Sequence, residues 1–522
     1  MPTVFFHGNR FAITSSFMML HRSLASPLRA RTQRLLCPKV ARSFSTAPDA
    51  PKLRVCVVGS GPGGFYATKY LLKEHTGVRV DMLEALPTPF GLVRSGVAPD
   101  HPEVKSVMND FAKVAADERF RFLGNVRVGE DVRLADLQQH YHAVVLAYGA
   151  AGDRELGVPG EDLRGVMSAR TFVNWYNGHP AFRDLDLDLQ DVETAVVIGQ
   201  GNVAVDCARI LTKNVDELAS TDIATHSVKV LRRSGVKKVL LVGRRGSAQA
   251  AFTMKEIREL TKLDGVACIV DPEDMKRSKT PSSELEIKEQ RARKRMNDLL
   301  SKAAEQFDTT SDAERVVQIK FLSSPAEILA DEKDATRVGA IRIEKTSLEG
   351  EPNQQRAVGT GEFEDIPCSL VLRSIGYKSL PIEADAPFDQ RRHVVSNEQG
   401  RVVATSESGE TEPVVGLYCT GWAKRGPSGI IGTNIVDARE TVSCIVEDFA
   451  SGKFLHTNEE NLAGLEAVEK LIKKRNPDKQ LVRWTDYERL NSEENRRGEL
   501  VGKPREKITS VAEMLAVAKS VK

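Results

Sequence analysis

Two stretches of the chain share one pattern: an unbroken apolar run, a glycine-rich turn, then apolar residues at helical spacing. The first is Val55-Cys56-Val57-Val58, then Gly59-Ser60-Gly61-Pro62-Gly63-Gly64, with Phe65, Tyr66, Ala67, Tyr70, Leu71 and Leu72 following. The second is Thr194-Ala195-Val196-Val197-Ile198, then Gly199-Gln200-Gly201-Asn202-Val203-Ala204, then a helical run from Val205 to Leu211. Continuous apolar runs predict strands buried on both faces, and the helical spacing predicts crossovers between parallel strands. Val78–Glu84, Ala143–Ala147, Val239–Val242 and Gly416–Cys419 read as further strands. Alternation of this kind predicts an α/β fold with two Rossmann-like dinucleotide-binding domains, the second inserted into the first.

The intervening stretches divide the chain further. Lys105–Ala116 predicts a helix and Phe122–Val132 a strand pair, while Pro87–Pro102 is rich enough in Pro and Gly to predict a fixed irregular loop. From 271 to 307 the pattern is charged and helical, and Val317–Lys345 predicts a β-type addition to the second domain. Leu370–Tyr377 is expected to return the chain to the first domain. Beyond Gly452 the chain is polar and partly helical, an extension expected to pack on the surface. These boundaries give a first domain from 51–151 and 379–522 around a second from 152–378.

The turns carry the chemistry. A helix N-terminus offers free N–H donors and about half a positive charge, and G-x-G-x-x-G lets the backbone approach a pyrophosphate. The strand after the first turn ends in Glu84, at the spacing expected of a carboxylate that binds ribose hydroxyls. The strand after the second ends in Gly243-Arg244-Arg245 instead. A carboxylate there would repel a 2′-phosphate, whereas paired guanidiniums bind one through bidentate charge-assisted bonds. One acidic and one basic ribose site point to FAD at the first turn and NADP(H) at the second, because a flavin gives such a pair a common chemistry. Gly426–Thr433, with a helical run from Asn434, is expected to close over the flavin ring, its helix N-terminus near the pyrimidine edge.

Composition narrows the reading by exclusion. The net charge of +2 does not suggest nucleic-acid binding, and the seven scattered cysteines form no C-x-x-C pair, which argues against a dithiol reductase or a zinc site. No apolar run reaches the length of a spanning helix. Arg10, Arg22, Arg29, Arg31, Arg34, Lys39 and Arg42 all precede the first acidic residue, Asp49. Residues 1–44 therefore read as a mitochondrial transit peptide.

Several longer strings are specific enough to resemble a family. They include Pro89-Phe90-Gly91-Leu92-Val93-Arg94, Gly96-Val97-Ala98-Pro99-Asp100-His101-Pro102, Gly199–Ala204, Val242-Gly243-Arg244-Arg245-Gly246, Ser374-Ile375-Gly376-Tyr377-Lys378-Ser379 and Gly502-Lys503-Pro504-Arg505-Glu506-Lys507. From about Leu53 onward the chain resembles the mitochondrial NADPH:adrenodoxin oxidoreductases, the adrenodoxin-type ferredoxin–NADP reductases. That resemblance implies FAD contacts at Gly63, Glu84, Leu92, Val132, Trp422, Gly429, Ile430 and Ile431, beside the glycines Gly59, Gly61 and Gly64 that the first turn itself assigns to the cofactor. It implies NADPH contacts at Gln200, Gly201, Asn202, Val203, Arg244, Arg245, Glu256 and Gly429. His101 and Asp206 would handle protons, and Arg258, Arg291 and Arg295 would dock an acidic [2Fe–2S] ferredoxin, with peripheral association at the matrix face of the inner membrane. Gly63 stands where the family usually has Ala. Structural roles compete with these: His101 could fix its loop, Asp206 could pair with Arg209, and the arginines could be a solvated helix face. The same cofactors would also serve a flavin monooxygenase or a non-enzymatic redox-sensing flavoprotein, while a glutamate-synthase-type small subunit would need cysteine cluster ligands that the chain lacks.

Overall fold

The computed structural model describes residues 53–309, 313–406, 409–456 and 462–520. The 1–44 segment lies outside the described residues.

The first sheet has seven strands, in the order Asn397–Glu398, Arg401–Thr405, Thr411–Cys419, Ala143–Leu146, Arg54–Val58, Arg79–Glu84, Phe120–Gly124. The last five run parallel; Asn397–Glu398 and Arg401–Thr405 join as antiparallel neighbours. Successive side chains of a strand face opposite sides, so each apolar run feeds two cores. Val55, Val57, Val80, Met82 and Val145 meet helix Pro62–Glu74 and helix Thr433–Ala450 through Phe65, Leu71, Ala438 and Ile445. Cys56, Val58, Val144 and Leu146 meet Leu137, Val468 and Ile472 on the other face.

A second sheet of six parallel strands runs Val166–Ser168, Leu370–Arg373, Thr194–Ile198, Lys238–Val242, Arg315–Lys320, Val266–Val270. Helices cover one face, where Ala195, Val197, Val239 and Leu241 pack against Phe172, Ala204 and Ala208. The other face is covered by a small antiparallel sheet of Ser323–Ala330, Val338–Glu349 and Arg356–Pro367, whose Ile328, Ile341, Ile343 and Ile366 meet Val196, Leu240 and Val242.

Four expectations change. Phe122–Val132 holds one parallel strand, ending at Gly124, because Asn125 turns left-handed at φ 60°; only an isolated bridge joins Val128 to Val132. Lys105–Ala116 is two helices, Pro102–Lys105 and Val107–Ala115, broken at Ser106. Leu370–Arg373 does not return the chain to the first sheet but sits inside the second. Val317 likewise belongs to a central strand of that sheet, so the addition starts only at Ser323.

The C-terminal extension also does more than cover the surface. Helix Trp484–Leu500 buries Tyr487 and Leu490 in the first core, and the Trp484 ring lies within 6.5 Å of Phe65 and Phe90. Its Glu494 is fully buried and accepts from Arg94 at 2.9 and 2.6 Å and from the Ile508 amide at 2.9 Å. Polarity misled here, because the polar residues of the extension are partners for buried cations. Lys507 shares the carboxylate of Asp222 with Lys105, at 3.0 and 2.6 Å, tying the tail to both halves of the molecule.

Candidate functional site

The first turn is shaped by what its glycines exclude. Gly59 has φ +105°, and a Cβ there would stand 2.6 Å from the Ala147 carbonyl oxygen. A Cβ on Gly64 would fall 2.1 Å from the Gly59 oxygen, so this glycine lets the helix start against the strand. The position beside Gly61 has no atom within 4 Å, leaving that edge open to a ligand. A methyl on Gly63 would meet the Gly421 backbone at 3.2 Å, a tight contact.

Glu84 sits beside this turn. Its Oε2 accepts from the Ser60 amide and hydroxyl, and its Oε1 from the Leu86 amide at 3.1 Å. Each carboxylate oxygen has two lone-pair sites, so the anchored group keeps capacity for ribose hydroxyls. Tyr148 Oη, Thr420 Oγ1 and Arg425 Nε, near the C-terminal ends of the adjoining strands, are buried without hydrogen-bond partners. These orphaned groups, the open edge at Gly61 and the helix N-terminus together fit a large polar cofactor. Leu92 opens a short helix right after Gly91. Trp422 packs on Tyr377 with centroids 5.5 Å apart, while Gly429 takes φ +80° and Ile430 and the half-buried Ile431 follow it, Ile430 with 70% of its surface exposed. The Val132 side chain is fully buried in the core, so any ligand contact there falls to its backbone.

The second turn repeats the plan. Gly199 has φ +129°, and a Cβ would lie 2.2 Å from the Ser374 oxygen, while the space beside Gly201 is open. Gln200 Nε2 donates to the Lys320 carbonyl at 3.1 Å, Asn202 Oδ1 accepts from the Thr253 amide at 2.8 Å, and Val203 is half-buried. Arg244 and Arg245 follow the end of the neighbouring strand and are exposed, as two guanidiniums awaiting a phosphate should be.

A dense charge cluster joins the two halves. Arg209, with 0% of its side chain exposed, bonds Asp100 at 2.8 and 3.1 Å, Asp206 at 2.7 Å and Glu256 at 3.3 Å. His101 Nε2 lies 2.9 Å from Glu259 and 3.9 Å from Glu256. Burial works against a charged His101 ring, yet the Glu259 bond and the nearby carboxylates win, and its pKa is raised. Burial pushes the carboxyls of Asp206 and Glu256 up as well. Asp100 is also buried, but the Arg209 fork holds it at about 2. Ligand atoms of His101, Asp206 and Glu256 lie within 4.8 Å of one another, but Arg209 already supplies the cation among them.

His101, Asp206 and Glu256 are thus brought together, and the expected pairing of Asp206 with Arg209 is present too. Sequence reasoning missed Asp100 and Glu259. Asp100 adjoins His101 in the proline-rich loop, and Glu259 stands one helical turn from Glu256, so only spacing hinted at them. Arg258 lies exposed on helix Met254–Leu260, and Arg291 and Arg295, one turn apart, are exposed on helix Arg291–Glu305. Arg293 of the same cluster instead turns inward to buried Glu286.

Comparison with known proteins agrees with this geometry. The pyridine nucleotide-disulphide oxidoreductase family profile matches residues 53–272. The mitochondrial NADPH:adrenodoxin oxidoreductase of Arabidopsis thaliana is 47% identical, covering 92% of this chain and 98% of the relative. The human protein of the same name is 45% identical, covering 92% and 94%. Mycobacterium tuberculosis FprA, solved in complex with NADPH, superposes with a TM-score of 0.81 at 39% identity, covering 90% of this chain and 100% of FprA. The chain belongs to the NADPH:adrenodoxin oxidoreductase family.

Proposed function

We propose that this chain is an FAD-dependent reductase that carries electrons from NADPH to a [2Fe–2S] ferredoxin of the adrenodoxin type. The observation that carries this is the pairing of two pyrophosphate turns in one chain, with Glu84 beside one and Arg244-Arg245 beside the other. FAD would be held by segments 51–151 and 379–522, and NADPH by 152–378; the short antiparallel pairing of Gly152–Asp153 with Tyr377–Lys378 supports that division. Bound FAD supplies a centre that takes two electrons together and releases them singly, which a nicotinamide donor and a one-electron acceptor require. The chain's own contribution is to orient the cofactors and exclude water. Mixing the purified holoprotein with NADPH should bleach the flavin rapidly under anaerobic conditions, and added mitochondrial ferredoxin should then be reduced. Bleaching without ferredoxin reduction would favour a monooxygenase, and slow or absent bleaching a redox sensor.

His101 and Asp206 are assigned to proton handling at the junction of the halves. The His101 pKa is raised, so the charged ring is present at low pH and lost as pH rises through that value. His101→Gln and Asp206→Ala should each slow flavin reduction by about tenfold or more. The Gln variant should also flatten the alkaline limb of the rate profile. Unchanged rates in both variants would leave the pair a structural role.

Arg258, Arg291 and Arg295 form the docking face for an acidic ferredoxin. Complementary charge speeds encounter by roughly ten- to a thousandfold at low salt. Arg291→Glu with Arg295→Glu should raise the ferredoxin KM about tenfold or more and weaken its salt dependence, with NADPH–ferricyanide turnover unchanged. An unaltered ferredoxin KM would leave these arginines a solvated face. The Arabidopsis and human relatives are mitochondrial by name, and the basic, acid-free 1–44 segment supports delivery of this chain to the matrix. Peripheral association with the matrix face of the inner membrane rests on the family resemblance; among the described residues no helix is long and apolar enough to cross a membrane.

A further inference from the structure

The small antiparallel sheet reaches past the core it covers and grips the arginine turn. Three consecutive backbone carbonyls of that turn are held by it and by Leu322, the residue just before its first strand. Gly243 O accepts from the Ser323 amide at 3.0 Å, Arg244 O from Thr346 Oγ1 at 2.8 Å, and Arg245 O from the Leu322 amide at 3.2 Å. Leu322 reaches its place with φ 49°, an uncommon conformation for a branched apolar residue. Thr346 is 2% exposed and lies where the pairing of Val338–Glu349 with Arg356–Pro367 slips register, between Glu344 and Thr346. Its own amide donates to Leu322 O at 2.8 Å, which locks the two gripping segments together.

The downstream side of the turn is clamped by the same sheet's hairpin. Gln249 Nε2 donates to Ser283 Oγ at 3.3 Å and Glu286 Oε2 at 3.2 Å. Glu286, fully buried, also accepts from the Asn353 amide at 2.7 Å and Gln355 Nε2 at 3.0 Å, both from the hairpin, and pairs with Arg293.

We propose that Thr346 is a positioning residue for the choice of NADPH over NADH. Its hydroxyl sets the plane of the peptide between Arg244 and Arg245, and with it the direction in which both guanidiniums leave the turn. A bidentate contact to a 2′-phosphate depends on that direction, whereas binding the unphosphorylated ribose does not. The proposal rests on Arg244 and Arg245 recognising the 2′-phosphate.

The test is the ratio of kcat/KM for NADPH to that for NADH in the holoenzyme, with ferricyanide as acceptor. Thr346→Val removes the hydroxyl at nearly constant volume and leaves the Arg244 carbonyl unpaired. The ratio should fall roughly five- to tenfold, entirely through a higher NADPH KM. Affinity for 2′,5′-ADP should fall in step while that for 5′-AMP holds, and Thr346→Ser should restore both. Should the Val variant fail to fold, Glu286→Gln, which loosens the other side of the clamp, should lower the same ratio. Equal changes for both cofactors, or none, in whichever variant folds would overturn the proposal. Arg244→Ala with Arg245→Ala separates the two levels. If that variant loses discrimination while Thr346→Val keeps it, the positioning role fails alone. If it keeps discrimination, the 2′-phosphate assignment fails and the positioning role with it.

Discussion

Arg209→Leu should cost about 3–5 kcal/mol of unfolding free energy at neutral pH, because it takes from three buried carboxylates the counter-charge they share. The leucine fills much of the space but answers none of the charge. Asp100, Asp206 and Glu256 all bond this one guanidinium, whose side chain has no exposed surface. The pH dependence follows from the signs. In the native protein Asp100 is held at about 2, so its contribution is in place above the ordinary carboxylate range and is lost as pH falls through about 2. In the variant Asp206 and Glu256 lose their bond to the guanidinium and Asp100 keeps only Lys213, at 3.2 Å, so the pKa values of these buried carboxyls rise and stability is lost as pH rises. The gap between the two proteins should therefore be widest near pH 7 and narrow by about pH 5. Urea unfolding of both holoproteins at the two pH values reads this directly. A gap below about 1 kcal/mol at neutral pH would mean that water or rearrangement reaches the cluster.

Arg244→Ala combined with Arg245→Ala should raise the NADPH KM by about a hundredfold or more, while leaving kcat/KM for NADH within about threefold. Hydrogen bonds to charged groups contribute about 1.5–3 kcal/mol each, and every 1.4 kcal/mol is a factor of ten, so losing two forks exceeds a hundredfold. Both side chains are exposed, so the loss belongs to binding and not to folding. Arg→Lys at either site should recover only part of the affinity, since an ammonium cannot make the planar bidentate contact. Steady-state kinetics with both cofactors suffices. A parallel rise in the two KM values would move the arginines from phosphate recognition to general support of the turn.

The parts of the fold that sequence revealed are those in which one short segment carries its own explanation. Val55–Gly64 and Thr194–Ala204 each contain a strand, a turn and a helix start, recognisable by their spacing alone; Gly64 clears Gly59 within the motif, whereas Gly59 and Gly199 clear Ala147 and Ser374 from distant parts of the chain. Glu84 and Arg244-Arg245 were legible because they stand at fixed positions along the next strands. Leu370–Arg373 was harder, since an apolar run states that a strand is buried and is silent about which sheet takes it. The C-terminal extension was misjudged for a related reason. Glu494 is polar in sequence but fully buried in the fold, and nothing near it in the chain announces Arg94. Asp100, Glu259 and Thr346 were hidden likewise, because their partners arrive from other elements.

The contact between Arg94 and Glu494 spans 400 residues of chain, and that span fixes the order in which the molecule can be completed. A ribosome delivers Arg54–Val58 and Ala143–Leu146 early, yet the strand that covers the free edge of Ala143–Leu146, Thr411–Cys419, emerges only after the whole second sheet. The second sheet, drawn from one continuous stretch between Val166 and Arg373, can close first. Until the tail arrives, the half-built first sheet carries an unpaired edge and an arginine with no counter-charge, the kind of surface that aggregates or recruits chaperones. The domain begun first is finished last.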